Sequence, residues 1–345
     1  MPRALPVSLF KTMFDSSEAP GEPHPGHPRL LGDIGGTHAR LGWQPSAQAP
    51  LERVQVLRCA DHPGLAEALQ HYLATQRLPR PACAALAMAN PVTGDMVRMT
   101  NHHWAFSIGA LRRHLGLRRL LVLNDFTALA LSLPGLPAAV LRAVGGGQAL
   151  PGGALALLGP GTGLGVSGLS RQGAAVLPLS GEGGHVSLAV ADAREFALLE
   201  VLQRRFGHVS AERVLSGSGL LALYQAMQAL AGAAPAPQWQ TPAEVMAQGL
   251  AEPDSLARQT LDQFCAFLGS VAGNLALTLG ARGGVFIGGG IVPRMGALFE
   301  ASPFRRRFED KGRFGPYLQQ IPTWVIDDPL LPALQGASLA LDRAG

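Results

Sequence analysis

Gly32-Asp33-Ile34-Gly35-Gly36-Thr37 and Gly159-Pro160-Gly161-Thr162-Gly163-Leu164-Gly165 are far apart in the chain, and each lies between apolar runs that read as strands. Backbone N–H groups in tight strand-to-strand turns form concavities for anions, so two such turns suggest a phosphate gripped from both sides. Glycine suits the task because it permits positive φ and close approach of backbone to a ligand. Neither stretch contains the Gly-x-x-x-x-Gly-Lys-Ser/Thr of a P-loop, which leaves the backbone to do the holding. Asp33 offers a carboxylate to a water on Mg²⁺, with Gly35, Gly36 and Thr37 facing the phosphates; Asp and Gly are also the residues of an ordinary hairpin.

Asn124-Asp125 follows the apolar run Leu120-Leu121-Val122-Leu123, with a helix expected behind it. A polar pair at the end of a buried strand is where α/β folds keep their chemistry. A carboxylate beside an amide suits a general base and a hydroxyl-orienting partner, although either residue could cap the helix beginning at Phe126. Gly181-Glu182-Gly183-Gly184-His185 exposes backbone and projects two polar groups, a pairing that suits vicinal hydroxyls. Glu212 has two readings: a ligand, or a carboxylate that complements a helix dipole behind an N-cap at Ser210. Gly163-Leu164-Gly165-Val166-Ser167-Gly168 fits the dinucleotide fingerprint, but the residues from Val166 to Gly173 read as strand and turn rather than the required helix. That context rejects a dehydrogenase.

Positioning these groups takes more than one core. At 345 residues the chain exceeds what a single core usually supports, so two domains with a cleft between them are expected. The first opens as strand, glycine turn, strand (Arg40 to Trp43) and strand again, ending near Leu57, which is an antiparallel start to a sheet. Leu65 to Leu73 and Ile108 to Leu115 have helical spacing, and Ala84 to Ala89 is a short apolar strand. Prolines and glycines between Leu133 and Gly153 mark a boundary. The second domain repeats the theme: a strand at Ala154 to Leu158, the second turn, and strands at Val166 to Leu169 and Ala174 to Leu179. Helices are expected at Arg194 to Phe206, Leu220 to Leu230, Ala243 to Leu250 and Ser255 to Leu279, with an Ala/Pro insert at 231–240. A strand at Val285 to Ile287 runs into Gly288-Gly289-Gly290, and a strand at Thr323 to Ile326 and a helix at Leu334 to Leu341 close the chain.

Composition excludes several classes. The pI near 9.3 invites a nucleic-acid reading, but net charge is only +4 and the one dense basic run, Arg305-Arg306-Arg307, is followed by Glu309 and Asp310. No nucleic-acid partner is expected without a basic stripe. The three cysteines form no metal spacing and read as reduced thiols of a cytoplasmic protein. The stretch Phe264 to Ala281 carries no charge and spaces Gly269 and Gly273 like a membrane-helix contact, but Ser270, Asn274 and Thr278 recur on one face and suit a buried soluble helix. No membrane partner is expected. Residues 1–28 read as a disordered extension, or Met13 as the true start.

Seven segments in order carry a resemblance: Gly-Asp-Ile-Gly-Gly-Thr (32–37), Met-Thr-Asn-His-His-Trp-Ala-Phe-Ser (99–107), Asn-Asp-Phe-Thr-Ala (124–128), Gly-Thr-Gly-Leu-Gly (161–165), Gly-Glu-Gly-Gly-His (181–185), Ser-Ala-Glu-Arg-Val-Leu-Ser-Gly (210–217) and Gly-Gly-Val-Phe-Ile-Gly-Gly-Gly-Ile-Val-Pro-Arg (283–294). Together they resemble the bacterial glucokinase family over nearly everything after residue 29. The resemblance implies a two-domain actin-like (ribonuclease-H-like) α/β fold. A small α/β domain (29–135 with 326–345) and a larger α+β domain (136–325) would lie around a cleft, with the last helix returning to the small domain.

It further implies a homodimer that transfers the γ-phosphoryl group of ATP, with Mg²⁺, to glucose O6. By motif match Asp125 would be the base on the 6-hydroxyl, and Asn124, Glu182, His185 and Glu212 would hold other hydroxyls. Asn101 and the Thr93-Gly94-Asp95 turn would line the sugar side. Gly32, Asp33, Ile34, Gly35, Gly36 and Thr37 with Gly161, Thr162 and Gly163 would hold the phosphates, Asp33 would reach the metal through water, and Gly288, Gly289 and Gly290 would lie against the adenosine. His38 and Pro160 depart from the family's common residues without removing a catalytic group. Another hexose, an N-acetylated amino sugar, or a non-catalytic sugar sensor on the same fold are the alternatives. The cysteine-rich zinc motif of the related ROK kinases and repressors is absent, as is a helix-turn-helix domain.

Overall fold

The computed structural model describes residues 26–173, 175–232, 239–328 and 331–343. Most of the expected N-terminal extension and the middle of the 231–240 insert lie outside the described residues; at Pro28 the carbonyl already accepts the N–H of Ala82 (3.1 Å). The chain divides into two compact units, the first running to Gly135 and taking in the C-terminal helix, the second running from Leu136 through the last strand.

In the first unit β1 (Arg29–Ile34), β2 (His38–Gln44) and β3 (Glu52–Arg58) form an antiparallel meander. After α1 (Leu65–Thr75) the chain adds β4 (Cys83–Met88) parallel to β1. A small hairpin of β5 (Met96–Arg98) and β6 (Ala105–Ser107), α2 (Ile108–Leu115), β7 (Arg119–Asn124) and α3 (Asp125–Ser132) complete the run, giving the sheet order β3-β2-β1-β4-β7. β4 reads Cys-Ala-Ala-Leu-Ala-Met and is buried throughout, because a parallel strand covered on both faces must be apolar on both. Leu30 and Ile34 of β1 and Leu86 of β4 join Leu69, Tyr72, Leu111 and Leu115 of α1 and α2 in one core. The opposite face takes α3 and the C-terminal helix (Leu331–Arg343). That helix is pinned where Arg29 donates to Asp342 (2.6 Å) and Ser338 donates to Gln44 (2.6 Å). It meets α3 where the missing Cβ of Gly336 makes room for the backbone of Ala128.

The second unit opens with β8 (Leu141–Ala143) and a second meander, β9 (Leu155–Pro160), β10 (Leu164–Gln172) and β11 (Ala175–Ser180). Four helices follow, α4 (Ala193–Phe206), α5 (Gly217–Ala231), α6 (Pro242–Ala251) and α7 (Leu256–Leu279), then β12 (Gly284–Ile287). Three short helices, α8 (Ala297–Ala301), α9 (Phe304–Glu309) and α10 (Gly315–Gln319), lead to β13 (Thr323–Ile326), and the sheet order is β11-β10-β9-β12-β13-β8. The stretch that imitated a membrane span is the core of α7. Gly269 and Gly273 face α9, where added side chains would strike the carbonyls of Phe304 and Phe308. Ser270 is buried, but Asn274 and Thr278 are exposed, so the polar stripe marks the solvent edge of the helix's last turns. Among the described residues no helix is long and apolar enough to cross a membrane. Ser255 caps the start of α7, its hydroxyl accepting from Arg258 N (3.1 Å) while donating to Glu252 O (2.8 Å), and Gly280 ends it at φ +58, a left-handed position that glycine occupies without strain.

Both units repeat one plan: an antiparallel meander whose first strand is then extended by parallel strands, β4 and β7 in one and β12 and β13 in the other. This duplicated α/β arrangement is the two-domain actin-like plan. Each glycine stretch sits at the first hairpin of its unit's meander, between β1 and β2 or between β9 and β10. Of the fingerprint-like stretch, Gly163 ends the turn and Leu164 to Gly168 lie along β10, which runs on into β11 rather than a helix.

Candidate active site

In the first unit Gly32, Asp33 and Ile34 complete β1, and only Gly35, Gly36 and Thr37 form the turn, closed where Gly35 N–H donates to His38 O (3.0 Å). Ile34 is part of the core, and the space where Gly32 lacks a side chain is taken by Leu86. His38 is exposed and serves the turn through its carbonyl. Neither Gly35 nor Gly36 has positive φ, so the conformational argument for glycine does not hold here. Room is the reason at Gly36: a Cβ there would stand 2.9 Å from both Cβ and the carbonyl oxygen of Asn101. Cys59 backs the turn, its N–H donating to Thr37 O (2.9 Å) and its thiol to Gly35 O (3.3 Å).

Asp33 is 8% exposed and pairs with Arg40, its register partner on β2, whose Nη1 donates to Oδ2 (2.9 Å). Burial pushes the Asp33 carboxyl above its ordinary range, and the Arg40 guanidinium pulls it back. Sequence reasoning missed Arg40. The signal was available, since a tight turn after Gly35 sets Asp33 opposite Arg40 across the hairpin. One Asp33 oxygen is committed to Arg40, and among the described residues no cluster of three His, Cys, Asp or Glu could hold a metal ion. This donor set fits a hydrated Mg²⁺, which keeps several waters and takes one or two carboxylates alongside phosphates.

Asn124 ends β7 and caps α3, its Oδ1 accepting from Phe126 N (3.0 Å) and Thr127 N (3.1 Å). That cap fixes the side chain and leaves its NH₂ as a donor. Asp125 is the first residue of α3, half-buried, with Oδ1 accepting from Phe126 N (2.8 Å). Asn101 is exposed in the loop between β5 and β6. Asp95 is engaged elsewhere, accepting from Gly109 N (2.8 Å) at the start of α2; hydrogen bonds from the Ser107 hydroxyl and Gly109 hold its carboxyl below the ordinary range. The 93–95 turn is thus fastened to that helix. His102, next to Asn101, has a buried Nδ1 with no hydrogen-bond partner, and burial, then the neighbouring His103, lowers its pKa.

In the second unit the turn is Gly161, Thr162 and Gly163, since Pro160 ends β9 and Leu164 begins β10. Gly161 N–H donates to Gly163 O (2.8 Å), and Gly217 N–H donates to Gly161 O (2.8 Å), tying the turn to the start of α5. Gly161 has nothing within 4 Å of the place where a Cβ would stand. At Gly163 a Cβ would lie 2.5 Å from Glu212 Oε2. The same oxygen accepts the N–H of Leu164 (2.9 Å). Ser210 makes no side-chain cap, so Glu212 is not the second residue of a capped helix; it is a carboxylate fastened to the glycine turn.

Its other oxygen, Oε1, stands 4.0 Å from His185 Nδ1, and His185 Nε2 is 4.0 Å from Glu182 Oε2. Glu182 and His185 side chains are 57% and 60% exposed. The chain folds this way because Gly184 has no side chain to strike the Leu164 carbonyl and Gly183 packs on Val166. These three groups form a polar patch of carboxylate acceptors and an imidazole with one donor and one acceptor nitrogen, a set able to hydrogen-bond hydroxyl groups. Gly288 N–H donates to Leu158 O (2.9 Å); Gly289, at φ +77, packs on the Pro160 carbonyl, and Gly290 faces open space. Pro160 therefore links the second turn to the 288–290 segment, its carbonyl also accepting from Ile291 N (3.3 Å).

A family model described as Glucokinase matches residues 30–344. The chain is 57% identical over 319 residues to a glucokinase of Aromatoleum aromaticum, spanning 92% of this chain and 96% of that one. It is 55% identical over 314 residues to a glucokinase of Chromobacterium violaceum, spanning 91% and 89%. Among solved structures, a glucokinase from an Antarctic psychrotroph superposes with a TM-score of 0.82 at 37% identity, covering 92% of this chain and 99% of that one. With a family match over nearly its whole described length and curated relatives sharing more than half their residues with it, the chain belongs to the glucokinase family.

Proposed function

We propose the following division of labour for ATP-dependent phosphorylation of glucose, the activity that membership of this family gives the chain. Asp125 orients the sugar's 6-hydroxyl and takes its proton as the O6–phosphorus bond forms and the bond from Pγ to the ADP oxygen breaks. Phosphoryl transfer has a loose transition state, so alignment and charge neutralisation do most of the work and proton removal comes late. The observation that carries the reading is the helix start at 124–125. Asn124 supplies the cap of α3, and Asp125, held by Phe126 N–H at one oxygen, is placed at the end of a parallel strand where such folds do chemistry.

Asn124 NH₂ and Asn101 donate to sugar hydroxyls, and Glu182, His185 and Glu212 Oε1 are sugar ligands too, with Glu212 Oε2 already satisfied by Leu164 N–H. The turn N–H groups that do not close the hairpins, those of Gly36, Thr37, Thr162 and Gly163, face phosphate oxygens, while Gly35 and Gly161 shape the turns by donating to His38 O and Gly163 O, and the 288–290 segment lies along the adenosine. Asp33, steadied by Arg40, would hold a water of a nucleotide-bound Mg²⁺, which would supply positive charge to the phosphates. The motif resemblance supports a cytoplasmic homodimer acting at the entry to glycolysis.

The test is ADP release by purified protein with Mg-ATP and glucose, mannose, fructose, N-acetylglucosamine or no sugar. Turnover with glucose far above the others is expected. Absence of sugar-dependent turnover would overturn the reading.

A further inference from the structure

The glycines of both turns were expected to serve the nucleotide, yet two of them abut residues on the sugar side. Gly36 and Gly163 have no positive φ, so backbone conformation does not require glycine at either place. What requires it is a neighbour: Asn101 at 2.9 Å from a Cβ on Gly36, and Glu212 Oε2 at 2.5 Å from a Cβ on Gly163. At the second turn the contact is also a bond, Leu164 N–H to Glu212 Oε2 (2.9 Å). By contrast Gly161, in the same turn, has nothing within 4 Å. The two units thus share a device in which the first hairpin of the meander carries one glycine whose absent side chain is replaced by a sugar-side residue.

We infer that Gly36 and Gly163 are positioning residues for the sugar: by leaving room, they let the nucleotide turns hold Asn101 and Glu212 in the orientation that binds glucose. The inference rests on the reading of Asn101 and Glu212 as sugar ligands. At Gly163 the obstacle met by a methyl group is the far end of a flexible side chain. Gly163→Ala therefore folds, and the Glu212 carboxylate swings aside and loses its bond from Leu164. At Gly36 the obstacle includes the Asn101 backbone, so the whole 101 loop must shift.

The experiment is calorimetric titration of glucose into nucleotide-free enzyme, with folding checked by thermal unfolding, for wild type, Gly163→Ala, Gly36→Ala, Glu212→Gln, Glu212→Asp and the Gly163→Ala/Glu212→Asp double variant. Displacing a ligating group by about 1 Å can cost on the order of 10²-fold, so Gly163→Ala should weaken glucose binding about tenfold or more with no nucleotide present. Asp at 212 is shorter and retreats from the new methyl group, so the double variant should bind glucose better than the product of the two single losses predicts. Unchanged glucose binding in a folded Gly163→Ala, or strictly multiplicative losses in the double variant, would overturn the inference. Unchanged glucose binding in Glu212→Gln would instead overturn the assignment of Glu212 to the sugar. Should Gly36→Ala fail to fold, the Gly163 series decides alone.

Discussion

Asp125→Asn separates the helix-terminus role that Asp125 has in the structure from the catalytic role proposed for it. As a first-turn carboxylate of α3, Asp125 meets the positive end of the helix dipole, worth about 0.3–1 kcal/mol near the surface. Asparagine keeps an oxygen that can accept from Phe126 N, now donating at 2.8 Å, and the cap itself stays with Asn124. The variant should therefore fold and lose at most a few degrees in Tm. As the proton acceptor of O6, the same carboxylate is worth ~10²–10⁴-fold in kcat, or about 3–5 kcal/mol of barrier. The assay is ADP release at saturating glucose and Mg-ATP beside a thermal unfolding curve. A kcat within a few-fold of wild type would remove Asp125 from the mechanism, and a large fall in Tm accompanying the lost activity would return it to a structural role. Asn124→Ser supplies the companion measurement. Serine caps nearly as well as asparagine, so stability should hold while the lost NH₂ donor raises the KM for glucose.

Three further outcomes follow from particular contacts. Gly161→Ala has open space around its Cβ and no positive φ, so stability should change by less than about 0.5 kcal/mol while the KM for ATP rises; an unchanged KM would take this glycine away from the phosphates. Arg307 donates to both oxygens of Glu195 (2.7 and 3.1 Å), which is 1% exposed, so Arg307→Leu should cost about 3–5 kcal/mol in urea unfolding, and Arg307→Leu/Glu195→Leu should recover part of it; a loss below about 1 kcal/mol would contradict the burial argument. Burial lowers the His102 pKa, so the folded state binds fewer protons than the unfolded state; stability is full above the ordinary value of 6.5 and erodes as pH falls below it. Wild type should therefore lose more Tm than His102→Gln on acidification from about pH 7.5 to 5.5, and equal losses would refute the assignment.

Much of the fold was legible because its signals are local. The helix at Ile108 to Leu115 announces itself by Ser107 before it, basic residues in its last turn and Gly116 after it, all of which the structure uses. The parallel strands β4 and β7 are short unbroken apolar runs, which only burial on both faces makes reasonable. The region from Ala297 to Gln319 was not legible. Its three helices are five or six residues long, too short to show a period, and they form because α7 presents Gly269 and Gly273 for α9 to pack on. The β5–β6 hairpin escaped notice for the same reason: three-residue strands carry almost no alternation.

The candidate site divides along the same line. Residue types with local consequences, an Asn-Asp pair after a buried strand or a Glu and His framed by glycines, could be found without coordinates. What they touch could not. Glu212 has a sound local explanation as a first-turn acid behind Ser210, and the structure keeps it in that place, in a three-residue 3₁₀ turn, but Ser210 makes no side-chain cap and the carboxylate reaches across to Leu164 instead. The glycine turns show the limit more sharply. Positive φ is a property of one residue and its neighbours in sequence, so it is the explanation a sequence offers for a glycine. At Gly36 and Gly163 the cause is a partner distant in the chain, Asn101 in one unit and Glu212 in the other, occupying the volume a side chain would need. A glycine kept for space is indistinguishable in sequence from one kept for conformation, but the two differ in substitution: the first tolerates alanine when its neighbour is shortened, and the second does not tolerate it at all.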